Sequence, residues 1–234
     1  MNGGRLRVAT WNVHGMRAGV DEIARVIRAE QVDIVALQES GPRRRLRAVG
    51  ETLDMQVCGD PWAFPRRRIQ NAVLVRRGLA TTVSHRLHRF SGGSLLYPRG
   101  LLRADVDHRV SVLSVHLGLD RSERAEHVEQ LLAMLEGSAG SFVVGGDLNA
   151  FPGDPGPSSL AGLASDCWEA AGEGSGATFP SHAPAARIDY LFAGRAFRPL
   201  RTWTARGTAS DHLMVVAELA LTESGEDGAS VRGS

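Results

Sequence analysis

The sequence contains no lysine, and its 27 basic residues are therefore all arginines. This absence excludes the sites that depend on a side-chain amine: a P-loop lysine, a Schiff-base lysine and a lysine general base. Alanine and glycine are abundant in the same chain. We attribute the combination to drift in a GC-rich genome rather than to function.

Cysteine is also scarce, since the chain has only Cys58 and Cys167. Their spacing fits neither a zinc site nor a disulfide framework, which predicts a reducing compartment. The sequence has no apolar run long enough for a transmembrane helix and no signal-peptide pattern at its start. We therefore expect a cytoplasmic protein without membrane insertion.

Charge and aromatic content give little indication of a partner. The formal net charge is +1 at pH 7, and only 6% of the residues are aromatic. Near-neutrality gives no general attraction to nucleic acid or to a membrane, and basic insertions with interleaved aromatic residues are missing. The sequence has no Gly-x-Ser-x-Gly turn, which argues against a serine hydrolase. Nothing in it implies a protein partner.

Short apolar and β-branched runs bounded by turn residues predict buried strands. They span residues 8–10, 32–37, 72–75, 81–83, 100–106, 110–115, 142–144 and 188–192. Apolar residues at helical spacing predict helices over 20–30, 122–135 and, within a surface excursion, near 160–164. The second helix is expected to have Ser122 as its N-cap and to stop at Gly137.

Short polar segments stand at the ends of several of these runs. They are Thr10-Trp11-Asn12, Gln38-Glu39, Val115-His116, Gly146-Asp147-Leu148-Asn149, Ile188-Asp189-Tyr190 and Ser210-Asp211-His212. Side chains at the strand ends of an α/β sheet face a crevice in which ligands bind. The sequence therefore predicts a polar site built from strand ends.

The same segments carry a family resemblance. The ordered motifs TWNVHG, ALQES, SVHLG, VVGGDLNAFP, RIDYLF and SDHLMVV resemble the endonuclease/exonuclease/phosphatase superfamily, from about residue 8 to residue 219. The resemblance implies an α/β (α+β) fold, a four-layered α/β sandwich in which two mixed β-sheets pack face to face with helices outside. It also favours one domain over residues 5–221. The polar, Gly/Ser-rich composition of the end of the sequence predicts a disordered tail over 222–234.

Phosphoester hydrolysis needs a divalent cation, a group that activates water and fixed donors to the phosphoryl oxygens. Glu39 is the first candidate metal ligand, because this carboxylate stands at the end of the apolar run 34–37, separated from it only by Gln38. Asn12 and Asp211 are the candidate co-ligands, direct or through water. Their oxygen atoms suit Mg²⁺, for which Mn²⁺ can substitute. The alternative for Glu39 is a strand-end charge in solvent.

Asp147 and Asn149 lie on the same side of an extended segment, because they are two residues apart. We interpret Asp147 as the general base or the group that orients the attacking water, and Asn149 as a donor to the phosphoryl oxygens or to that water. An ordinary turn is the alternative. His212 is interpreted as a protonated donor beside the scissile phosphate.

The resemblance adds further roles. It implies that Asp189 orients His212 and that His116 is a second phosphate donor, whereas a structural Asp–His pair and a packing histidine are the alternatives. Many relatives have a Glu before the proline that corresponds to Pro98, and this chain departs from that pattern. Asn71 and Arg99 are therefore candidate substrate contacts, and His14 is a further one because it shares a face with Asn12.

These residues predict a hydrolase acting on ester bonds: a Mg²⁺-dependent phosphoesterase in which activated water attacks phosphorus in line. A nuclease-type substrate is slightly favoured, so the expected partner is a phosphoester that can be nucleic acid. A small-molecule or lipid-headgroup phosphatase or phosphodiesterase is one alternative, and a non-catalytic phosphate-binding module is another. Arginines at 43–45, 47 and 66–68 either contact phosphate or form a solvated face.

Overall fold

The computed structural model of the chain describes residues 4–60, 68–93, 96–136, 138 and 140–222. Within these ranges, twelve strands form two mixed sheets of six strands each. The spatial order of the first sheet is β11 (Phe197–Thr204), β12 (Val215–Leu221), β1 (Arg5–Asn12), β2 (Ile34–Gln38), β4 (Ala72–Arg76) and β3 (Met55–Gly59). The order of the second is β5 (Val83–Arg89), β6 (Gly100–Val106), β7 (Val110–His116), β8 (Phe142–Asp147), β10 (Asp189–Ala193) and β9 (Ser165–Asp166).

Five helices accompany the sheets in the described part of the chain. They are α1 (Val20–Ala29), α2 (Arg43–Leu53), α3 (Arg121–Leu135), α4 (Pro155–Ala161) and α5 (Cys167–Ala171). One apolar cluster lies between the two sheets, a second packs α1 and α2 on the outer face of the first sheet, and a third packs α3 and α4 on the second. The four-layered sandwich expected from the sequence is therefore confirmed.

Strand alternation brings the polar residues to one end of the inter-sheet layer. In β8, Val143 packs between the sheets whereas Val144 packs against the helices. Side chains alternate along a strand, so Asp147 also faces the other sheet. The same alternation directs Asn12 of β1 and His116 of β7 into the layer between the sheets. They lie at the end of that layer, beyond its apolar residues.

The structure corrects several element boundaries. The N-cap of α3 is Asp120 rather than Ser122, because the Asp120 side chain accepts from the backbone N–H of both Ser122 and Glu123. The strand expected at 81–83 begins only at Val83. The helix expected near 160–164 is α4, which begins earlier because Pro155 suits a first helical turn.

Some predictions lie outside the described residues. They concern Gly137, Arg66, Arg67 and residues 223–234. In the described ranges, no helix combines the length and the apolar run that crossing a membrane requires.

Candidate active site

Three site residues form one row across the second sheet. Asp147 ends β8, and its register partners are His116, which ends β7, and Asp189, which begins β10. All three side chains are buried. Their closeness follows directly from strand pairing, because adjacent strands lie about 4.8 Å apart.

The first sheet contributes the residues that face this row. Asn12 ends β1, and its Nδ2 donates to Asp147 Oδ2 at 3.0 Å and to Glu39 Oε1 at 3.3 Å. Glu39 follows β2 with a left-handed φ of 48°, which turns the chain sharply at the strand end. The Asn12 Oδ1 accepts from the backbone N–H of His14 at 3.1 Å. One amide thus joins two carboxylates that come from different sheets.

A buried polar bridge fixes the separation of the sheets behind the site. Gln38 Nε2 donates to Ser114 Oγ at 3.1 Å and to Thr10 Oγ1 at 3.2 Å. Ser114 Oγ in turn donates to the carbonyl oxygen of Leu37 at 2.7 Å. The sequence analysis assigned no role to Thr10 or Ser114. Their signal is a polar residue at an inward-facing position of an otherwise apolar strand.

His212 lies in the loop before β12, and that loop is held against β1. Trp11 Nε1 donates to the His212 carbonyl at 2.9 Å, and Ser210 Oγ donates to the Asn12 carbonyl at 2.7 Å. Across the sheet interface, His212 Nδ1 lies 2.8 Å from Asp189 Oδ2. Thr178, which the sequence analysis missed, donates its hydroxyl to the same oxygen.

The two central acid and base groups have shifted pKa values. Burial, together with the neighbouring Asp189 carboxylate, raises the pKa of Asp147 to about 7. Burial alone would lower the pKa of His212, but the hydrogen bond and charge of Asp189, helped by Asp147, outweigh it and raise this pKa to about 9. At neutral pH His212 is therefore an imidazolium, whereas Asp147 exchanges a proton readily.

His116 behaves differently from His212. Its ring nitrogens both lie 2.7 Å from Arg99 Nη1, and its Nε2 is 3.5 Å from Asp147 Oδ2. Burial, the Arg99 charge and the His212 charge hold the pKa of His116 well below its usual value. His116 is therefore neutral at pH 7, and Arg99 provides the positive charge on this side of the site.

The remaining predicted residues lie at the edges of the site. His14 Nδ1 and Asp211 Oδ2 form a half-exposed pair 3.3 Å apart. Asn149, in a left-handed turn, donates its backbone N–H to Asp147 Oδ1 at 3.0 Å and its Nδ2 to the Leu117 carbonyl at 3.1 Å.

Asn71 is buried, and its Nδ2 donates to two backbone carbonyls, those of Gly100 and Ser114, both at 2.8 Å. The Asn71 amide therefore ties the start of β4 to β6 and β7.

The oxygen donors of the site fit a divalent cation. Asp147, Asp189 and His212 present ligand atoms within 4.8 Å of one another. However, Asp189 and His212 already bond to each other, and Thr178 also bonds to Asp189. Glu39 and Asp147 offer a better-suited point, because both carboxylates accept from the Asn12 Nδ2 there. A cation in place of that N–H donor would meet two carboxylate oxygens, and Asn12 would have to ligate it through its Oδ1.

Comparisons with known proteins identify the family and the fold. The sequence profile of the Endonuclease/Exonuclease/phosphatase family matches residues 9–212. A sequence comparison with curated proteins finds no match.

Solved structures with a similar fold include an endonuclease/exonuclease/phosphatase from Beutenbergia cavernae DSM 12333, with 25% identity, a TM-score of 0.68, and coverage of 93% of this chain and 72% of that one. A mannosyl-6-phosphatase from Bacteroides thetaiotaomicron VPI-5482 has 17% identity and a TM-score of 0.74, with 92% and 100% covered. Truncated TDP2 from Caenorhabditis elegans has 19% identity and a TM-score of 0.70, with 93% and 98% covered.

Proposed function

The chain belongs to the endonuclease/exonuclease/phosphatase family, and from this premise we propose that it is a Mg²⁺-dependent phosphoesterase that uses water to attack phosphorus in line. The observation that carries the proposal is the convergence of Asn12, Glu39 and Asp147 beside the His212–Asp189 pair. A buried cluster that holds both a proton acceptor with a pKa near neutrality and a fixed imidazolium is suited to general acid–base chemistry.

In this proposal Glu39 and Asn12 hold Mg²⁺, and Asp211 assists directly or through water. Mn²⁺ can substitute because the donors are oxygen atoms. The ion, when bound, neutralises charge on the phosphoryl group.

Asp147 accepts the proton of the attacking water, and its raised pKa of about 7 suits that role near neutral pH. Asn149 keeps Asp147 oriented through the 3.0 Å bond from its backbone N–H. The Asn149 Nδ2 carries two N–H groups, so besides its bond to the Leu117 carbonyl it can donate to a phosphoryl oxygen or to the water.

His212 donates a hydrogen bond to the phosphoryl oxygens from Nε2, because Asp189 occupies its Nδ1. Arg99 adds positive charge. Neutral His116 accepts from Arg99 at one ring nitrogen, and the N–H at the other can donate to phosphate, the role that the resemblance implies. His14 contacts the substrate at the mouth of the site. Asn71 fixes β6 and β7 through its two backbone hydrogen bonds, and it also lines the cavity beside Glu39, where it is a candidate substrate contact.

Nucleic acid is slightly favoured as the substrate. Phe179 lies with its ring centroid 4.9 Å from that of His212, and Phe151, two residues after Asn149, is 56% exposed. Exposed aromatic rings beside a phosphate site are surfaces on which bases stack. A small-molecule phosphatase is the second candidate, supported by the fold shared with the mannosyl-6-phosphatase.

The test measures hydrolysis of plasmid DNA, single-stranded DNA, RNA, bis-4-nitrophenyl phosphate and inositol phosphates, with Mg²⁺ or with EDTA. We expect Mg²⁺-dependent turnover that falls at least about 10²-fold in His212→Ala. His85→Ala, on the exposed strand β5, is the matched control and should keep wild-type activity. Absence of turnover with every substrate, together with Mg²⁺ binding, would favour a phosphate-binding module instead.

We also propose that residues 5–221 act as one domain in the cytoplasm. Both thiols, Cys58 and Cys167, are buried and unpaired, which suits a reducing compartment.

A further inference from the structure

A cavity of about 400 Å³ adjoins the candidate active site. We call it the Arg68 cavity. Glu39 and His116 line it on the side of the active site, and Arg68, Tyr97 and Arg99 line it elsewhere. The cavity is therefore open to a molecule whose scissile phosphate lies at Glu39.

Arg68 has hydrogen-bonding capacity that the protein does not use. Its side chain is 5% exposed, and its Nη1 donates to the Gly41 carbonyl at 3.1 Å. Its Nε and Nη2 are buried and have no partner among the described residues. These two nitrogens form one edge of the guanidinium, the fork that binds two oxygens of a phosphate.

Leaving such a fork buried and unpaired costs free energy, because charged donors lose their hydration without replacement. An oxyanion that reached this edge of the guanidinium from the cavity would offset the cost. Burial lowers the pKa of Arg68, the nearby Asp60 opposes this effect, and the group remains a cation.

The charges of the lining also favour an anion. Among the lining residues that the structure describes, Arg68 and Arg99 are cationic, Glu39 is the one carboxylate, and His116 is neutral. A divalent cation bound at Glu39 would make the excess of positive charge larger. A phosphate group is the anion that matches both the fork and the phosphoester chemistry next to it.

We infer that Arg68 binds a second phosphate group of the substrate, beside the one that is hydrolysed. The inference rests on the proposed phosphoesterase function and narrows its substrates to molecules with two neighbouring phosphates. A nucleotide that carries two phosphates and a nucleic-acid strand both have this chemistry.

The kinetic test compares thymidine 5′-(4-nitrophenyl phosphate) with the same ester carrying a 3′-phosphate. Both release 4-nitrophenolate from the same bond. We expect the wild type to favour the 3′-phosphorylated ester in kcat/KM by about tenfold or more, mostly through KM, and Arg68→Met to lose this preference. An unchanged ratio in Arg68→Met would overturn the inference.

Arg45→Met is the matched control, because Arg45 also donates through Nη1 to a loop carbonyl, that of Met16 at 3.1 Å, but does not line the cavity. It should keep the wild-type preference. A single-stranded oligonucleotide identifies the source of the second phosphate. If Arg68→Met lowers kcat/KM for the oligonucleotide as much as for the 3′-phosphorylated ester, the second phosphate belongs to a nucleic-acid strand. If kcat/KM falls only for the small ester, it belongs to a nucleotide.

A binding measurement separates this inference from the proposed activity. Calorimetric titration of the full chain with inorganic phosphate in EDTA should show affinity that falls about tenfold in Arg68→Met and stays unchanged in Arg45→Met. Equal affinity in wild type and Arg68→Met refutes the second phosphate site even if the enzyme is active. Where Arg68→Met fails to fold by circular dichroism, Arg68→Lys keeps the charge, removes the fork and is held to the same expectation.

Discussion

The two histidines of the site have similar sequence contexts, since each follows or precedes a buried strand, yet their charges differ at neutral pH. Asp189 keeps His212 protonated, whereas Arg99 and burial keep His116 neutral. The sequence could identify both as candidates. It could not assign their charges, because these depend on which groups approach across the sheets.

Asp189→Asn is expected to shift the pH dependence of catalysis. The folded pKa of His212, about 9, lies above its ordinary value, so the proton is retained until the pH rises through about 9. Loss of the Asp189 charge lowers this pKa, so the alkaline limb of kcat/KM should move to lower pH, and kcat at pH 8 should fall about 10²-fold. Asp33→Asn is the control, because Asp33 pairs with Arg76 and does not belong to the candidate site. It should leave the pH profile unchanged. An alkaline limb that stays in place in Asp189→Asn would contradict this role.

Asp147→Asn is expected to stabilise the metal-free protein at alkaline pH. The folded pKa of Asp147, about 7, exceeds the ordinary value of 3.8, so the unfolded chain gives up this proton first and stability falls as the pH rises between these values. Asparagine removes that loss. Thermal denaturation in EDTA should show a melting temperature about 5 °C higher for the variant at pH 8, and a small difference at pH 4.

The control for this measurement is Asp120→Asn at the start of α3. Hydrogen bonds from the Ser122 hydroxyl and from the backbone lower the pKa of Asp120, so its contribution has the opposite sign. That variant should be less stable than wild type at pH 8. A stabilising effect in both variants would show that loss of net negative charge, rather than burial of Asp147, is responsible.

At the scale of elements, Arg187 connects α5 to the start of β10 and so supports Asp189. Its guanidinium bonds both carboxylate oxygens of Asp166, at 3.0 and 3.1 Å, and lies 4.7 Å from the centroid of the Tyr190 ring. The sequence analysis assigned no role to Arg187, the first residue of the RIDYLF motif, and did not predict α5. A helix of five residues has too little periodicity to be detected, and the ion pair joins residues 21 positions apart.

Arg187→Met should destabilise the fold by about 3 kcal/mol, because it leaves the buried Asp166 carboxylate without its cation. Urea unfolding measures the change. Arg25→Met is the control, because Arg25 and its partner Glu22 are both exposed and their pairing contributes little. Similar unfolding midpoints for Arg187→Met and Arg25→Met would show that the buried pair does not hold α5 in place.

Helix α2 is a second element that the sequence analysis did not predict. Its first residues, Arg43 to Arg45, were interpreted as a cluster that either contacts phosphate or forms a solvated face. In the structure Leu46 and Val49 of α2 are buried against the first sheet, and Arg45 bonds a backbone carbonyl. The apolar side of a short helix is difficult to recognise when charged residues dominate its composition.

For the molecule as a whole, the sequence predicted which residues lie at the strand ends better than it predicted the contacts between those residues. The polar segments at the ends of the apolar runs indicated the polar edge, and the family resemblance implied the sandwich. The contacts that close the site join distant residues: Asn12 with Asp147 are 135 positions apart, and Asp189 with His212 are 23 apart. Sheet packing sets these distances. Packing also leaves the Nε and Nη2 of Arg68 without a partner among the described residues, and no local sequence pattern reveals this.

Because the proposed ligands Glu39 and Asn12 come together only in the folded chain, Mg²⁺ should stabilise the folded state. A ligand that binds only the folded state contributes about 2.7 kcal/mol at roughly 100 times its Kd, which corresponds to a rise in melting temperature of roughly 5–10 °C. Thermal denaturation of the wild type during a Mg²⁺ titration should show this rise, and Glu39→Ala should not. Glu22→Ala, at an exposed carboxylate of α1, should respond like the wild type. A full Mg²⁺ response in Glu39→Ala would place the ion elsewhere, with the Asp147, Asp189 and His212 group as the alternative.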